Sequence, residues 1–278
     1  MTETRNAQMA ATPVSFRSSA AARIRAIALN TFRESIRDRV LYNLVLFVLI
    51  LVAASVFVSD LSANVESEFT ASLGLSAMLV FGAFIAIFIG VGLVYKEIDK
   101  RTIYNLLSKP VHRYEFIAGK YAGLCLTLLI NSGVMLVATE IAILCVNGRF
   151  VRLQLAVLAA AYLVFLELAL LIAVALMFSS FSTPLLSALL TFAVYVIGNF
   201  SGDLLQMARI SDSRAGNALL NVIYYLVPHL SNFSFITEAS HGRIVPARMA
   251  LSATVYAIVY VSILLSAAML MFQKRNFK

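Results

Sequence analysis

Charge is what this sequence has least of. Of its 278 residues, 13% are Asp, Glu, Lys or Arg while 61% are hydrophobic, and the mean hydropathy is +0.88. Soluble domains carry about 25% charged residues, so the composition excludes an ordinary soluble chain and points to a polytopic membrane protein. A phosphate-cradling loop is also missing. Gly119-Lys120 is the sole Gly-Lys pair, Tyr114 stands where the first glycine of G-x-x-x-x-G-K-[ST] belongs, and Tyr121 follows the lysine. If ATP is involved, another subunit binds it. There is no nucleophile elbow, H-E-x-x-H or C-x-x-C, and His112, His229 and His241 are scattered. Neither catalysis by this chain nor a metal site is expected. Cys125 and Cys145 are the two cysteines, both inside one apolar run, where a thiol serves as a small packing residue. No secretory signal is expected, because about forty fairly polar residues precede the first apolar run.

What is present is a series of long apolar runs. Roughly 20 apolar residues cross the hydrocarbon core, which predicts six spans: about 40–59, 72–95, 121–146, 153–178, 184–200 and 249–272. The run from Leu153 to Gly202 is too long for one helix and breaks at SSFSTP, where Pro184 suits the first turn of a new helix. Lys and Arg set the orientation. Sixteen fall before Val40, between Lys96 and Lys120, or after Gln273, against six on the other side. Both termini are therefore expected in the cytoplasm. The net charge of +8 reflects this asymmetry and anionic lipid, with no nucleic-acid partner implied.

Residues 1–17 read as a flexible cytoplasmic N-terminus, followed by a single six-span domain over 18–278. Within 18–39, Ile24, Ile27, Ala28, Phe32 and Ile36 recur at helical spacing with five arginines on the other faces. That predicts an amphipathic interfacial helix with its apolar side on acyl chains. Between the fifth and sixth spans, residues 201–248 include ALLNVIYYLV, apolar but too short to cross. A re-entrant helical hairpin outside the membrane is expected there.

The most charged stretch, YKEIDKRTIYNLLSKPVHRYEFIAGKY, lies between spans two and three. Glu97 and Arg101 are four apart in the favourable acid-first order. Pro110 stops the first helix by restricting Lys109, and a second helix runs from about Arg113 into the third span. Residues 96–120 therefore predict a stiff, cytoplasm-facing knob. A plain joining loop would not need that construction.

This stretch resembles the signature of permease subunits of type-2 ABC transporters, closest to the branch containing the permease of nitrous oxide reductase maturation. The branch pattern E-x-x-x-x-T-x-x-x-L-L-[ST]-x-P-[IV]-x-R-x-x-[FI]-x-x-G-K falls on Glu97, Thr102, Leu106, Leu107, Ser108, Pro110, Val111, Arg113, Phe116, Gly119 and Lys120. The N-terminal helix resembles the elbow helix of these permeases, and the 219–235 region their external re-entrant helices. His112 stands where the family often has a hydroxyl residue that forms a capping box with the acid at 115. The resemblance implies an ATP-driven exporter of the bacterial inner membrane. Two such permeases pair as a homodimer, two ABC ATPase subunits bind the ATP and magnesium, and a periplasmic accessory protein joins in some branches. The knob becomes the coupling helix: Arg113 and Glu115 make polar contacts with the ATPase, Leu106, Leu107 and Phe116 anchor it, and Pro110 sets the corner. Glu97, Arg101, Gly119 and Lys120 support it.

Two acids lie inside spans. Glu167 sits near the middle of the fourth and Glu140 toward the outer end of the third. A charge at mid-bilayer costs at least ~2.5–3.5 kcal/mol, so each is either a polar group on the translocation path or an acid bonded to a neighbouring helix. An ion-coupled secondary transporter using Glu167 and Glu140, or a subunit that transmits ATP work without transport, are the alternatives. Gly82, Ala86 and Gly90 on the second span, and Gly119 with Gly123 on the third, are small-residue stripes that let helices approach, within or between subunits.

Overall fold

The computed structural model describes residues 19–37, 46–47, 49–50, 63–99, 112–147, 152–202 and 227–274. Every regular element among them is helical: α1 (Ala20–Arg37), α2 (Ala63–Asp99), α3 (Arg113–Asn147), α4 (Arg152–Ser179), α5 (Pro184–Asn199), a 3-10 turn (Leu230–Phe233), α6 (Ile236–Ser240) and α7 (Ala247–Lys274). Four stretches are long and apolar enough to cross a membrane: Glu66–Gly92, Tyr114–Val146, Arg152–Ser179 and Ala247–Met271. They contain the third and fourth spans read from the sequence and overlap the second and sixth to within three residues of their far ends. The chain is a multi-pass membrane protein. Of the first span, 46–47 and 49–50 are helical; Phe47 is buried and meets Phe81 of α2 edge-on at 6.3 Å. The rest of that span lies outside the described residues, as does the 1–17 segment.

α4 is the hub. It is apolar on nearly every face, and a helix of that kind belongs inside a bundle. Its buried positions run from Leu153 to Ser179, and it packs against α2, α3, α5, α6 and α7. The small-residue stripe of α2 is what admits α4. A Cβ on Gly82 would collide with Leu168, one on Gly90 would stand 3.2 Å from the Ala175 methyl, and Ala86 between them is buried. These positions serve packing within the chain.

The SSFSTP break behaves as its residues dictate. α4 ends at Ser179, and α5 starts with Pro184 in its first turn after Thr183 in extended backbone. The freed groups at the join are satisfied locally: Ser180 Oγ donates to the Met177 carbonyl at 2.6 Å, and Ser182 and Ser187 share a hydroxyl bond of 2.8 Å. α5 has only 16 residues, about 24 Å of helix, short of the roughly 30 Å core. Its last residue, Asn199, bonds Glu167, which is near mid-length of α4, so α5 ends deep in the bundle.

The chain segment at 228–233 comes back to the same place. A Cβ on Gly198 would lie 2.8 Å from the Pro228 carbonyl and from Leu230. The His229 N–H donates to the Tyr256 hydroxyl of α7 at 2.9 Å, and Ser201 and Ser231 hydroxyls meet at 2.7 Å. Irregular backbone is tolerated at such depth when protein surrounds it. Leu230 and Phe233 are buried in a cluster with Leu163, Ala253 and Ala257. α6 follows and closes with Gly242 at φ 72°, whose N–H reaches the Ala239 carbonyl while that of Arg243 reaches Glu238. Glycine is the residue that takes this left-handed cap without strain. The 219–226 part of the expected re-entrant hairpin lies outside the described residues.

Candidate coupling site

α3 begins abruptly. His112 occupies the cap position, its carbonyl accepting from the Glu115 and Phe116 N–H groups at 3.0 and 3.3 Å. The Glu115 carboxylate reaches back and accepts the His112 N–H at 3.2 Å. That is the acid half of a capping box, complete without the hydroxyl that the family often has at 112. The His112 ring stacks instead on Tyr114, centroids 5.4 Å apart.

Glu115 does more than cap. It is 0% exposed, and Arg23 of α1 grips it with two charge-assisted bonds, Nε to Oε2 at 2.8 Å and Nη2 to Oε1 at 2.6 Å. The Tyr114 hydroxyl lies 3.4 Å from Oε1. The bond to Glu115 raises the Arg23 guanidinium above its ordinary value. A forked guanidinium on a carboxylate is among the strongest and most directional side-chain contacts.

Above this pair the two helices mesh in register. A Cβ on Gly119 would stand 2.7 Å from Ile27 Cβ, and one on Gly123 would stand 2.5 Å from the Ala28 carbonyl and 2.6 Å from Thr31 Cβ. Arg23, Ile27 and Thr31 thus meet Glu115, Gly119 and Gly123, each row at steps of four. α1 and α3 run in the same sense, with i±4 ridges in contact. This adds a contact within the chain to the expectation for α1. Its Ile24–Ile27–Ala28 face seats on the α3 glycines, whose missing side chains leave a notch, while Leu29 and Ile36 are the large apolar residues left exposed. The Arg23–Glu115 pair was not legible in the sequence as a contact, although the matched four-residue steps were there to be compared.

The other face of the α3 base packs inward. Phe116 and Ile117 are buried against Ala268 of α7, with Met177 of α4 and Leu265 beside them. Lys120 is 1% exposed, its Nζ 3.9 Å from Glu34 of α1 and 5.8 Å from the Phe116 ring centroid. Tyr114 is 44% exposed and His112 is exposed as well. So of the residues expected to meet a partner, Glu115 and Phe116 are spent within the chain. Arg101, Leu106, Leu107 and Pro110 lie outside the described residues, as do the side chains of Glu97 and Arg113.

The two intramembrane acids do not come together. Glu167 is buried on α4 and accepts from Asn199 Nδ2 at 2.9 Å; the same amide donates to the Tyr195 carbonyl at 3.1 Å. Glu140 lines a groove between α3 and α4, its Oε1 buried with no hydrogen-bond partner. Cys125 and Cys145 are free; twenty residues apart on one helix, about 30 Å, they cannot bridge each other. Among the described residues no group of three or more His, Cys, Asp or Glu could hold a metal.

The family model described as ABC-2 family transporter protein matches residues 25–277, almost the entire chain. No curated protein matches it significantly.

Proposed function

Given that the chain belongs to the ABC-2 transporter family and is the permease component of an ABC transporter, we propose that it drives export by passing the movement of a separate ATPase through the base of α3. Two copies pair around the substrate path, and two ATPase subunits, which hold the ATP and magnesium, dock at the 96–120 end. The chain hydrolyses nothing itself. That end faces the cytoplasm of a bacterial inner membrane, in keeping with the sixteen-to-six distribution of Lys and Arg. Six spans complete each half. The resemblance of 97–120 to the nitrous-oxide-reductase-maturation branch makes a periplasmic accessory protein part of this reading.

One observation carries it: Glu115, buried and forked by Arg23 directly beside the exposed His112–Tyr114 stack. A docking surface that must deliver force needs a stiff root, and here α1, α3 and α7 converge within two turns of it. Arg113, Tyr114 and residues 100–111 are the part of the chain that meets the partner in this reading. Glu115 and Phe116 brace them from behind.

The test is co-purification of the tagged chain from its native membrane in mild detergent, with Arg113→Ala/Tyr114→Ala alongside. Stoichiometric recovery of a P-loop ATPase, weakened in the variant while the chain keeps its thermal stability, supports docking at this end. Recovery of the chain with no ATPase overturns the proposal and favours the ion-coupled alternative, in which Glu167 is the first residue to replace. An ATPase whose turnover responds to an accessory protein but moves no substrate favours transmission of ATP work without transport.

A further inference from the structure

The groove that holds Glu140 is a lipid-sized trough with a charged mouth. Its upper part, ≈ 620 Å³, is walled by Leu136, Ile141 and Leu144 of α3 and Leu155 and Leu158 of α4. A second hollow of ≈ 160 Å³ shares Leu136 and Leu158 and runs on to Phe165. From Arg152 to Phe165 the trough follows α4 for about 20 Å. One leaflet is about 15 Å of hydrocarbon plus its headgroups, so the trough reaches from the interface to about the midplane of the bilayer, the depth of a single leaflet.

Among the described residues its charged groups are confined to one end, and the deeper hollow adds only the neutral hydroxyls of Ser132 and Tyr162. Arg152, the first residue of α4, is exposed; Gln154 is buried in the same wall; Glu140 lies seven residues inside the end of α3, about 10 Å down. α4 is about 42 Å long and overshoots the core by about 12 Å; shared between its two ends, that puts Glu140 about 4 Å inside the edge of the hydrocarbon, just below the headgroups. There it presents a buried carboxylate oxygen without a donor.

We propose that this trough is a specific site for phosphatidylethanolamine: an acyl chain lies along α3 and α4, Arg152 binds the phosphate, and Glu140 accepts from the primary ammonium. Among the described residues the mouth offers one base and one acid, which a zwitterionic headgroup matches. Phosphatidylcholine has the same phosphate but a quaternary ammonium that cannot donate a hydrogen bond, and phosphatidylglycerol brings no cation to Glu140. The flanks of the trough, Leu129, Val137 and Ile141 on α3 and Leu155 on α4, are exposed apolar residues, as a wall open to the bilayer requires.

The chain contains no tryptophan, so Leu158→Trp places a single fluorophore in the trough and Ile258→Trp, on the exposed face of α7, serves as reference. In proteoliposomes, quenching by brominated-chain phosphatidylethanolamine is competed with the matching phosphatidylcholine. The expected preference for ethanolamine is about tenfold at position 158 and about onefold at 258. Glu140→Gln should bring the 158 value to within about twofold of unity, whereas Arg152→Ala should weaken both lipids alike. Native mass spectrometry of the full-length chain without the tryptophan, delipidated and titrated with each lipid, reads the same discrimination should Leu158→Trp fold poorly. Equal preference at both positions, or no effect of Glu140→Gln, overturns the site. So does absence of quenching at 158 by either lipid, which means protein from a second copy fills the trough.

Discussion

Removing the guanidinium of Arg23 isolates a carboxylate that has almost nowhere to turn. Glu115 is fully buried and keeps only the His112 N–H at 3.2 Å and the long Tyr114 contact at 3.4 Å. Breaking a buried pair from one side costs about 3–5 kcal/mol. The residual bonds and the 23% exposure on the Arg23 side put Arg23→Ala near the lower figure, about 3 kcal/mol. Glu115→Gln is milder, about 1 kcal/mol, because glutamine still caps the helix and the stranded guanidinium reaches water. With both changed, the buried charge is gone, so the double variant should cost no more than Arg23→Ala alone, a coupling of at least about 1 kcal/mol. Amide hydrogen exchange of the full-length chain in detergent reads this locally. Exchange across 20–37 should rise by about two orders of magnitude in Arg23→Ala, with little change in 153–179. Additive effects, with coupling under about 0.5 kcal/mol, would refute the idea that this pair seats α1.

Gly123→Leu drives a side chain into the Ala28 carbonyl and Thr31, so α1 should undock at a cost of about 1–3 kcal/mol or more, whereas Gly92→Leu, with nothing within 4 Å, should leave thermal stability in detergent unchanged. Glu167→Gln keeps an acceptor for Asn199 and should alter stability by less than about 0.5 kcal/mol, while Glu167→Leu loses that bond and should cost about 1–2 kcal/mol; SDS titration in mixed micelles separates the two. A cysteine introduced by His112→Cys in a Cys125→Ala/Cys145→Ala background should react with an impermeant maleimide in inside-out vesicles and not in right-side-out ones, and the reverse pattern would invert the proposed orientation.

The parts of the fold that composition specifies were readable. Apolar runs of spanning length, the Pro184 restart and the Gly82–Ala86–Gly90 stripe each depend on local chemistry that does not need the partner helix to be known. What escaped depends on which helix meets which. Glu115 on sequence grounds is a charged residue in a charged stretch, and it reads as outward-facing. Only the arrival of α1 with Arg23 in step makes burial the lower-energy state. The amphipathic pattern of α1 is likewise ambiguous, since an apolar stripe satisfies lipid or a glycine notch equally well. The notch takes part of it: Gly119 and Gly123 let the α1 backbone approach, which buries Thr31 and Ser35, half-buries Ile24, Ile27 and Ala28 and leaves Ile36 exposed, and Ser35 turns its hydroxyl back to the Thr31 carbonyl at 2.8 Å. The end of α5 at Asn199 falls within one residue of the boundary read from the sequence; what was not legible is that Asn199 meets Glu167 in the bundle interior, which depends on the neighbouring helix.

Force applied beside Tyr114 has more than one exit. If the base of α3 were tied only to its own span and its neighbour in sequence, a push would tilt α2 and α3 against an indifferent bundle. The base of α3 is instead held on two opposite sides, by Arg23 and the Ile27–Thr31 ridge of α1, and by Ala268 and Leu265 of α7 through Phe116 and Ile117. Moving α3 alone would separate a buried ion pair and open an apolar seam, each costing several kcal/mol. Moving the three together breaks neither. The proposed stroke is therefore one of α1, α3 and the last turns of α7 as a block, with slippage at the less interlocked contacts. Phe116→Ala separates these cases: it opens a cavity costing about 3 kcal/mol on the α7 side while leaving Arg23–Glu115 in place. If the block moves as one, that variant should still bind the ATPase but lose the coupling of its turnover to transport. Unchanged coupling in Phe116→Ala would confine the stroke to α1 and α3.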